Sequence, residues 1–268
     1  MSLCANIVAV KMRWKQTGIL RLPECGLHVP QSRPLLAFSG GGIFFFWQLG
    51  AVEALREVFD LRCFELCGAS AGAFAALFAA TGVTPETALE TSNRLAAEMQ
   101  VHRQTCGLVG IWGKMLRVWL DRLLPQNAVS LCDGRLTVVA VSVRPLLAVH
   151  YLNDMQTRDE LLDATLASAH LPFLLDGSFS AQYKDLLLFD GLKLCEKSIF
   201  LRPDVRRPVI VINPVDDPWV AQNKTFIDIR TRSHQEVTEM FHRGKQWVSE
   251  QLKSQEILSA FSECAALR

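Results

Sequence analysis

Short apolar runs, each cut off by glycine or a polar turn, alternate along this chain with longer segments of helical character. Residues 35–38 (Leu-Leu-Ala-Phe) read as a buried strand, broken by Ser39-Gly40-Gly41-Gly42. A helix is predicted over 43–58, ending in polar Glu53, Arg56 and Glu57. A second short strand over 64–67 meets another tight turn, Gly68-Ala69-Ser70-Ala71-Gly72. The Ala-rich stretch 73–80 is a strong helix former, and Gly82 closes it. Strand, turn and helix repeated twice predict an α/β fold. Runs that are apolar throughout predict strands buried on both faces, as in a parallel sheet. Further strands are expected at 136–143, 147–152, 186–189 and 209–212, and helices at 85–100, 156–169 and most of 234–261. No linker, repeat or low-complexity tract interrupts the pattern. It therefore predicts a basic lead-in over 1–33 and one domain over 34–268.

Composition narrows the function. The chain has 268 residues, half of them hydrophobic and 21% charged, enough for one large core and unlike a disordered chain. A net charge of +1 offers no electrostatic case for nucleic acid. The eight cysteines show no CxxC spacing and no histidine pair beside them, so neither a metal nor another cofactor is expected. Cys63, Cys67, Cys132 and Cys195 sit in apolar runs, where a reduced cysteine acts as a small hydrophobe. That reading points to a reducing, intracellular setting. No apolar run approaches the roughly 20 residues that span a bilayer. The apolar stretch before Lys11, Arg13 and Lys15 has the wrong order for a secretory signal. The acid-free start before Glu24 suits an organelle transit peptide or a plain lead-in, and the lack of serine enrichment favours the second.

Gly68-Ala69-Ser70-Ala71-Gly72 matches G-x-S-x-G. A serine at the apex of a sharp strand-to-helix turn needs small neighbours, and all four here are Gly or Ala. The following helix N-terminus favours developing negative charge. One strand–helix unit upstream, Gly40, Gly41 and Gly42 let the backbone approach a ligand and aim N–H groups at it. A P-loop would need Lys-Ser/Thr next, but Ile43-Phe44 follow. A dinucleotide fingerprint would need a third glycine where Phe45 stands. Beside a G-x-S-x-G, an oxyanion hole is the better reading.

A glycine-rich loop, helix, strand, G-x-S-x-G and late Asp-Gly, in this order over residues 34–193, resemble the patatin-like phospholipase family. The resemblance implies a three-layer α/β/α sandwich with a mostly parallel sheet. It also implies a Ser–Asp dyad without histidine, hydrolysing fatty-acyl esters of glycerolipids or phospholipids. Three Asp-Gly pairs compete for the base. Asp190 follows the apolar run 186–189 and would emerge at a strand's carboxyl end, with Gly191 supporting the turn. Asp133 and Asp176 read as turns. The stretch 167–172 is similar to the family's helix end and Ser-x-x-x-Pro turn. Leu192 departs from the small residue common after the Asp-Gly. The apolar Ile43-Phe44-Phe45-Phe46-Trp47 looks like the adipose-triglyceride-lipase branch.

Two rivals are weighed against this. A Ser–His–Asp esterase would use Ser70, Asp190 and His234 or His242, although both histidines sit in polar helical sequence. A catalytically weak lipid-binding protein could share the fold, because fold does not imply function. Residues 111–124 carry an apolar stripe at 112, 115, 116, 119, 120 and 123 opposite Lys114, Arg117 and Asp121. Such a stripe packs in a core or lies in a membrane interface, and core is the commoner use. Most of the Phe44–Trp47 quartet is expected to pack helix on sheet rather than line an acyl pocket. Arg202, Arg206 and Arg207 could meet anionic headgroups at a membrane or lipid-droplet surface, and a solvated loop explains them as well.

Overall fold

The computed structural model describes residues 9–10, 33–103, 108–142, 147–190, 208–222 and 232–265. Its strands are β1 (Ala9–Val10), β2 (Leu35–Phe38), β3 (Glu65–Ala69), β4 (Leu136–Ser142), β5 (Ala148–Leu152), β6 (Ala181–Tyr183), β7 (Leu186–Phe189) and β8 (Val209–Ile212). Its helices are α1 (Phe45–Val58), α2 (Ala71–Thr81), α3 (Pro85–Glu98), α4 (Trp112–Leu123), α5 (Ala128–Cys132), α6 (Arg158–Ser168), α7 (Pro218–Gln222), α8 (His234–Gln251) and α9 (Gln255–Ala260). One sheet runs β1-β8-β2-β3-β4-β7-β6, with β5 also on β4.

Side chains alternate across this sheet, and both faces are largely buried along β2, β3, β4 and β8. Leu36, Phe38, Leu66, Val138 and Ile210 join the main helical core. Leu35, Ala37, Cys67, Val139 and Val211 form a separate cluster on the other face. This is the α/β class the apolar runs predict. The sheet is parallel through five of its eight described strands, in line with the expected architecture, and carries an antiparallel part. β1, β8, β2, β3 and β4 pair in parallel, whereas β5, β6 and β7 pair antiparallel. The connections explain the switch. β4 and β5 are five residues apart, and β6 and β7 are two apart. A parallel crossover needs about a dozen residues or more.

The helices follow local rules. Every residue of α2 is buried, as an all-apolar helix requires, and Gly82 caps it at φ 77°. α1 and α8 cross so closely that a Cβ on Gly50 would lie 1.9 Å from the Phe241 carbonyl. One on Gly244 would lie 1.9 Å from the Trp47 carbonyl. Most of 234–261 is helical as expected, divided into α8 and α9 with Ser254 as the N-cap of α9.

α8 opens with a capping box in which Ser233 and Glu236 bond each other's backbone N–H. Bonds from the Ser233 backbone, then from the Arg232 and Ser233 side chains, lower the Glu236 pKa from 4.5 to about 2. A carboxylate depressed in the folded state stabilises above its unfolded pKa and loses that contribution as pH falls through its folded one. Thermal stability should therefore decline between pH 4.5 and about 2. In melting curves recorded across that window, Glu236→Gln should remove part of the decline. An unchanged slope would exclude Glu236 as its source.

Candidate active site

The second tight turn puts Ser70 between β3 and α2 with φ 55° and ψ −129°. A side chain in this region costs about 1–3 kcal/mol and persists only where its surroundings enforce it. Here the Ser70 N–H donates to Ser168 Oγ at 2.8 Å, and Ser168 Oγ donates to the Val139 carbonyl at 2.6 Å. The flanking glycines let two turns touch. A Cβ on Gly68 would lie 2.2 Å from the Gly72 carbonyl. One on Gly72 would lie 2.2 Å from the Phe38 carbonyl and 2.5 Å from that of Ser39. Ala69 and Ala71 are buried beside them.

Strand register brings Asp190 to this serine. β3 and β5 both pair with Val138 and Val139, so they occupy opposite edges of β4. β5 and β7 both pair with Val141 and Ser142, so β7 lies on the same edge as β3. β3 ascends to Ala69 opposite Val139, and β7 descends to Phe189 opposite Val141. One step further, Ser70 and Asp190 both fall opposite Ala140. The strands meet end to end, and Ser70 Oγ donates to Asp190 Oδ2 at 2.5 Å. The Asp190 N–H donates to the His170 carbonyl at 2.8 Å. The end of α6 thus braces both residues, Ser70 through Ser168 and Asp190 through His170.

Ser168→Ala would leave the buried Ser70 N–H without this acceptor, at a cost of about 1–3 kcal/mol. Its melting temperature should fall accordingly, and an unchanged one would mean that the turn is held by other contacts.

The glycine loop is fixed from three sides. The Ser39 N–H donates to the Ile212 carbonyl at 2.9 Å, and Ser39 Oγ donates to Asn213 Oδ1 at 2.8 Å. Buried Gln48 donates through Nε2 to the Ser39 carbonyl at 2.6 Å. Gly42 has φ 52°, in the left-handed region that favours glycine. A Cβ on Gly41 would crowd Pro214 at 3.1 Å and Gln48 at 3.2 Å. Gly40 is the half-buried link between Ser39 and Gly41.

Gly42, Ser70, Ala71 and Asp190 share the wall of a cavity of about 180 Å³. The rest of the wall is mainly apolar and includes Ile43, Phe45, Phe46, Phe74, Met115 and Trp119. The Phe44–Trp47 quartet divides evenly. Phe44 and Trp47 are core, whereas Phe45 and Phe46 face the cavity. The stripe on α4 also turns inward, with Trp112, Met115, Leu116 and Trp119 in the wall. Trp119 anchors it by donating Nε1–H to the Ala88 carbonyl at 3.0 Å.

The other sequence candidates separate from this centre. Asp133 and Asp176 stand in tight turns before Gly134 (φ 61°) and Gly177 (φ 84°). His234 meets Asn93 at 2.7 Å, and His242 packs on Phe241. Neither is among the described residues of the cavity wall. Gly191, Leu192, Cys195, Arg202, Arg206 and Arg207 lie outside the described residues. The sequence marks Ser168 only as part of the Ser-x-x-x-Pro turn in 167–172, and gives no role to Gln48 or Asn213. A lone glutamine amid the apolar residues opening α1 was the available signal for Gln48.

A family model for patatin-like phospholipases matches residues 36–195, from β2 through the nucleophile turn to just past Asp190. The chain therefore belongs to the patatin-like phospholipase family. Among curated proteins it is 28% identical over 171 residues to the omega-hydroxyceramide transacylase of Homo sapiens, covering 60% of this chain and 31% of that protein. It is 28% identical over 167 residues to the human 1-acylglycerol-3-phosphate O-acyltransferase PNPLA3, covering 58% of this chain and 33% of that protein. These relatives support the branch suggested by the apolar segment after the glycines. The chain spans about a third of their length. Among solved structures, the ExoU–SpcU complex of Pseudomonas aeruginosa matches with a TM-score of 0.41 at 16% identity, covering 87% of this chain and 58% of that one.

Proposed function

We propose that this chain is a serine acyl hydrolase of lipid esters, with residues 34–268 acting as one catalytic unit. The observation that carries this reading is the 2.5 Å bond from Ser70 Oγ to Asp190 Oδ2 in the wall of an apolar cavity. Asp190 accepts the Ser70 proton as Oγ attacks the carbonyl carbon of a glycerolipid or phospholipid ester. Backbone N–H groups of Gly40, Gly41 and Gly42 receive the oxyanion, and losing one such donor typically costs about 10²–10³ in rate. The N-terminus of α2 adds its partial positive charge. Collapse of the tetrahedral intermediate expels the alcohol, which takes the proton from Asp190. Water then attacks the acyl–Ser70 ester, giving up a proton to Asp190 on the way to free fatty acid and restored Ser70. The cavity wall accommodates the acyl chain.

The two relatives are a transacylase and an acyltransferase, which favours a second outcome for the same intermediate. An alcohol in place of water would give acyl transfer.

The test is labelling by a fluorophosphonate probe and turnover of a short-chain nitrophenyl ester. Both should vanish in Ser70→Ala and survive in His234→Ala/His242→Ala. A folded wild-type protein with neither labelling nor turnover would point instead to a lipid-binding scaffold. Loss of activity in the histidine variant would restore the Ser–His–Asp reading. Adding an acceptor alcohol separates hydrolysis from transfer through the ratio of free fatty acid to new ester.

A further inference from the structure

The connection from α6 to β6 carries Leu171, Phe173, Leu175 and Phe179, and it treats them differently. Leu171 and Leu175 line the cavity that contains Ser70 and Asp190. Phe173, midway between them, is 60% exposed, and Phe179 is 57% exposed. Their rings are 5.7 Å apart, and Phe179 packs edge-on against Phe189 of β7 at 5.1 Å. Leu187, on the same face of β7 as Phe189, is 39% exposed. Phe173 also has φ 65°, a conformation bulky residues rarely adopt. The segment is nevertheless firmly tied. Phe173 N–H donates to the Ser178 carbonyl at 2.8 Å. The N–H groups of Gly110 and Gly113 donate to the carbonyls of Leu174 and Leu175 at 3.0 and 2.7 Å. Asp176 Oδ1 accepts the Ser178 N–H at 2.8 Å. A rigid loop thus presents two aromatic rings to solvent within two residues of the cavity wall.

We propose that Phe173 and Phe179 form an interfacial anchor by which this loop inserts into a lipid surface, bringing the cavity against the membrane from which its substrate comes. The proposal rests on the reading of the cavity as a lipid-ester site. Continuity identifies the occupant, because the exposed rings and the cavity lining belong to one braced loop. An acyl chain leaving the membrane beside Phe173 meets Leu171 and Leu175 without crossing water. Charge sets the kind of surface. Residues 171–180 contain Asp176 and no Lys or Arg, so insertion is apolar and does not require anionic lipid. The site differs from the α4 stripe considered above, whose apolar side faces the cavity.

The test is flotation with phosphatidylcholine vesicles, comparing the intact chain with Phe173→Asn/Phe179→Ser. Asparagine tolerates positive φ, so the first change keeps the loop's backbone conformation. A melting curve checks that the pair leaves the fold intact. Vesicle partitioning should fall at least about tenfold in the variant, the least expected from losing one buried Phe. Adding phosphatidylserine should change wild-type binding little. Turnover of vesicle-borne ester should fall in parallel, while turnover of a soluble nitrophenyl ester stays at the wild-type level. Equal partitioning of wild type and variant, binding only with phosphatidylserine, or no flotation at all would overturn the proposal. The last result would leave the rings to a protein partner. Flotation without Ser70-dependent turnover would sink the catalytic reading alone, and soluble-ester turnover without flotation would sink the anchor alone.

Discussion

Asp190→Asn is expected to lower turnover of a soluble ester by about 10²–10⁴, the range a positioned general base contributes. The amide matches the carboxylate in size and can still hydrogen-bond Ser70 Oγ, which now lies 2.5 Å from Oδ2. The backbone bond from residue 190 to the His170 carbonyl is untouched. The melting temperature should therefore stay near wild type while the proton acceptor is lost. Stopped-flow acylation should locate the defect in attack by Ser70 rather than in binding, as lower kcat with little change in KM. The pH profile adds an independent check. A histidine base would lose rate as pH falls through about 6.5. The wild-type rate should pass that point without a break. A loss below tenfold in Asp190→Asn would remove it as the base.

Asp217→Ala should have a large effect on stability, about 1–3 kcal/mol, because it removes the acceptor of a buried donor and the partner of an Arg243 that is itself a third exposed. Asp217 is fully buried between the end of β8 and α7. Its carboxylate accepts Trp47 Nε1–H at 2.9 Å and the Trp219 backbone N–H at 2.9 Å. It also takes two bonds from Arg243, Nε to Oδ2 at 3.0 Å and Nη2 to Oδ1 at 2.8 Å. That contact raises the Arg243 pKa. One carboxylate therefore links α1, α7 and α8. Removing it leaves the buried Trp47 Nε1–H without this acceptor and the guanidinium without its carboxylate. The melting point should drop by several degrees, at about 2–4 °C per kcal/mol for a chain of this size. Asp217→Ala/Arg243→Met should recover part of the loss, because the unpaired cation goes with it. A shift of a degree or less in the single variant would show that the cluster contributes little.

The sequence is most readable where one physical constraint dominates. β8 covers the residues marked by its apolar run, because a strand buried on both faces tolerates no polar position. α2 follows from alanine content and a closing glycine. The nucleophile turn is legible because its neighbours had to be small, and Gly68 and Gly72 show what they are small against. Connection length was the neglected signal for the antiparallel half. Asp190 reads as following a strand's carboxyl end, and β7 does end there, but it approaches Ser70 from the direction opposite to β3. Ser168 was less readable. The Ser-x-x-x-Pro resemblance marks the turn but not what the hydroxyl bonds, and its partners lie 98 and 29 residues away in sequence. The α4 stripe shows a limit of periodicity, which reveals that one side is apolar but not whether it meets side chains or a cavity.

The end-to-end meeting of β3 and β7 also bears on how activity appears during folding. Ser70 and Asp190 are 120 residues apart, and neither strand pairs with the other. Both must dock on β4, which itself joins the sheet from the middle of the chain. Such non-local pairings raise contact order and form slowly, because loop closure precedes the contacts that offset it. A nascent or partly unfolded chain could carry a complete nucleophile turn and still lack its base. Reactivity of Ser70 toward an activated phosphonate would then report completion of the whole sheet, so a refolding time course followed by probe labelling should lag behind helix formation followed by circular dichroism.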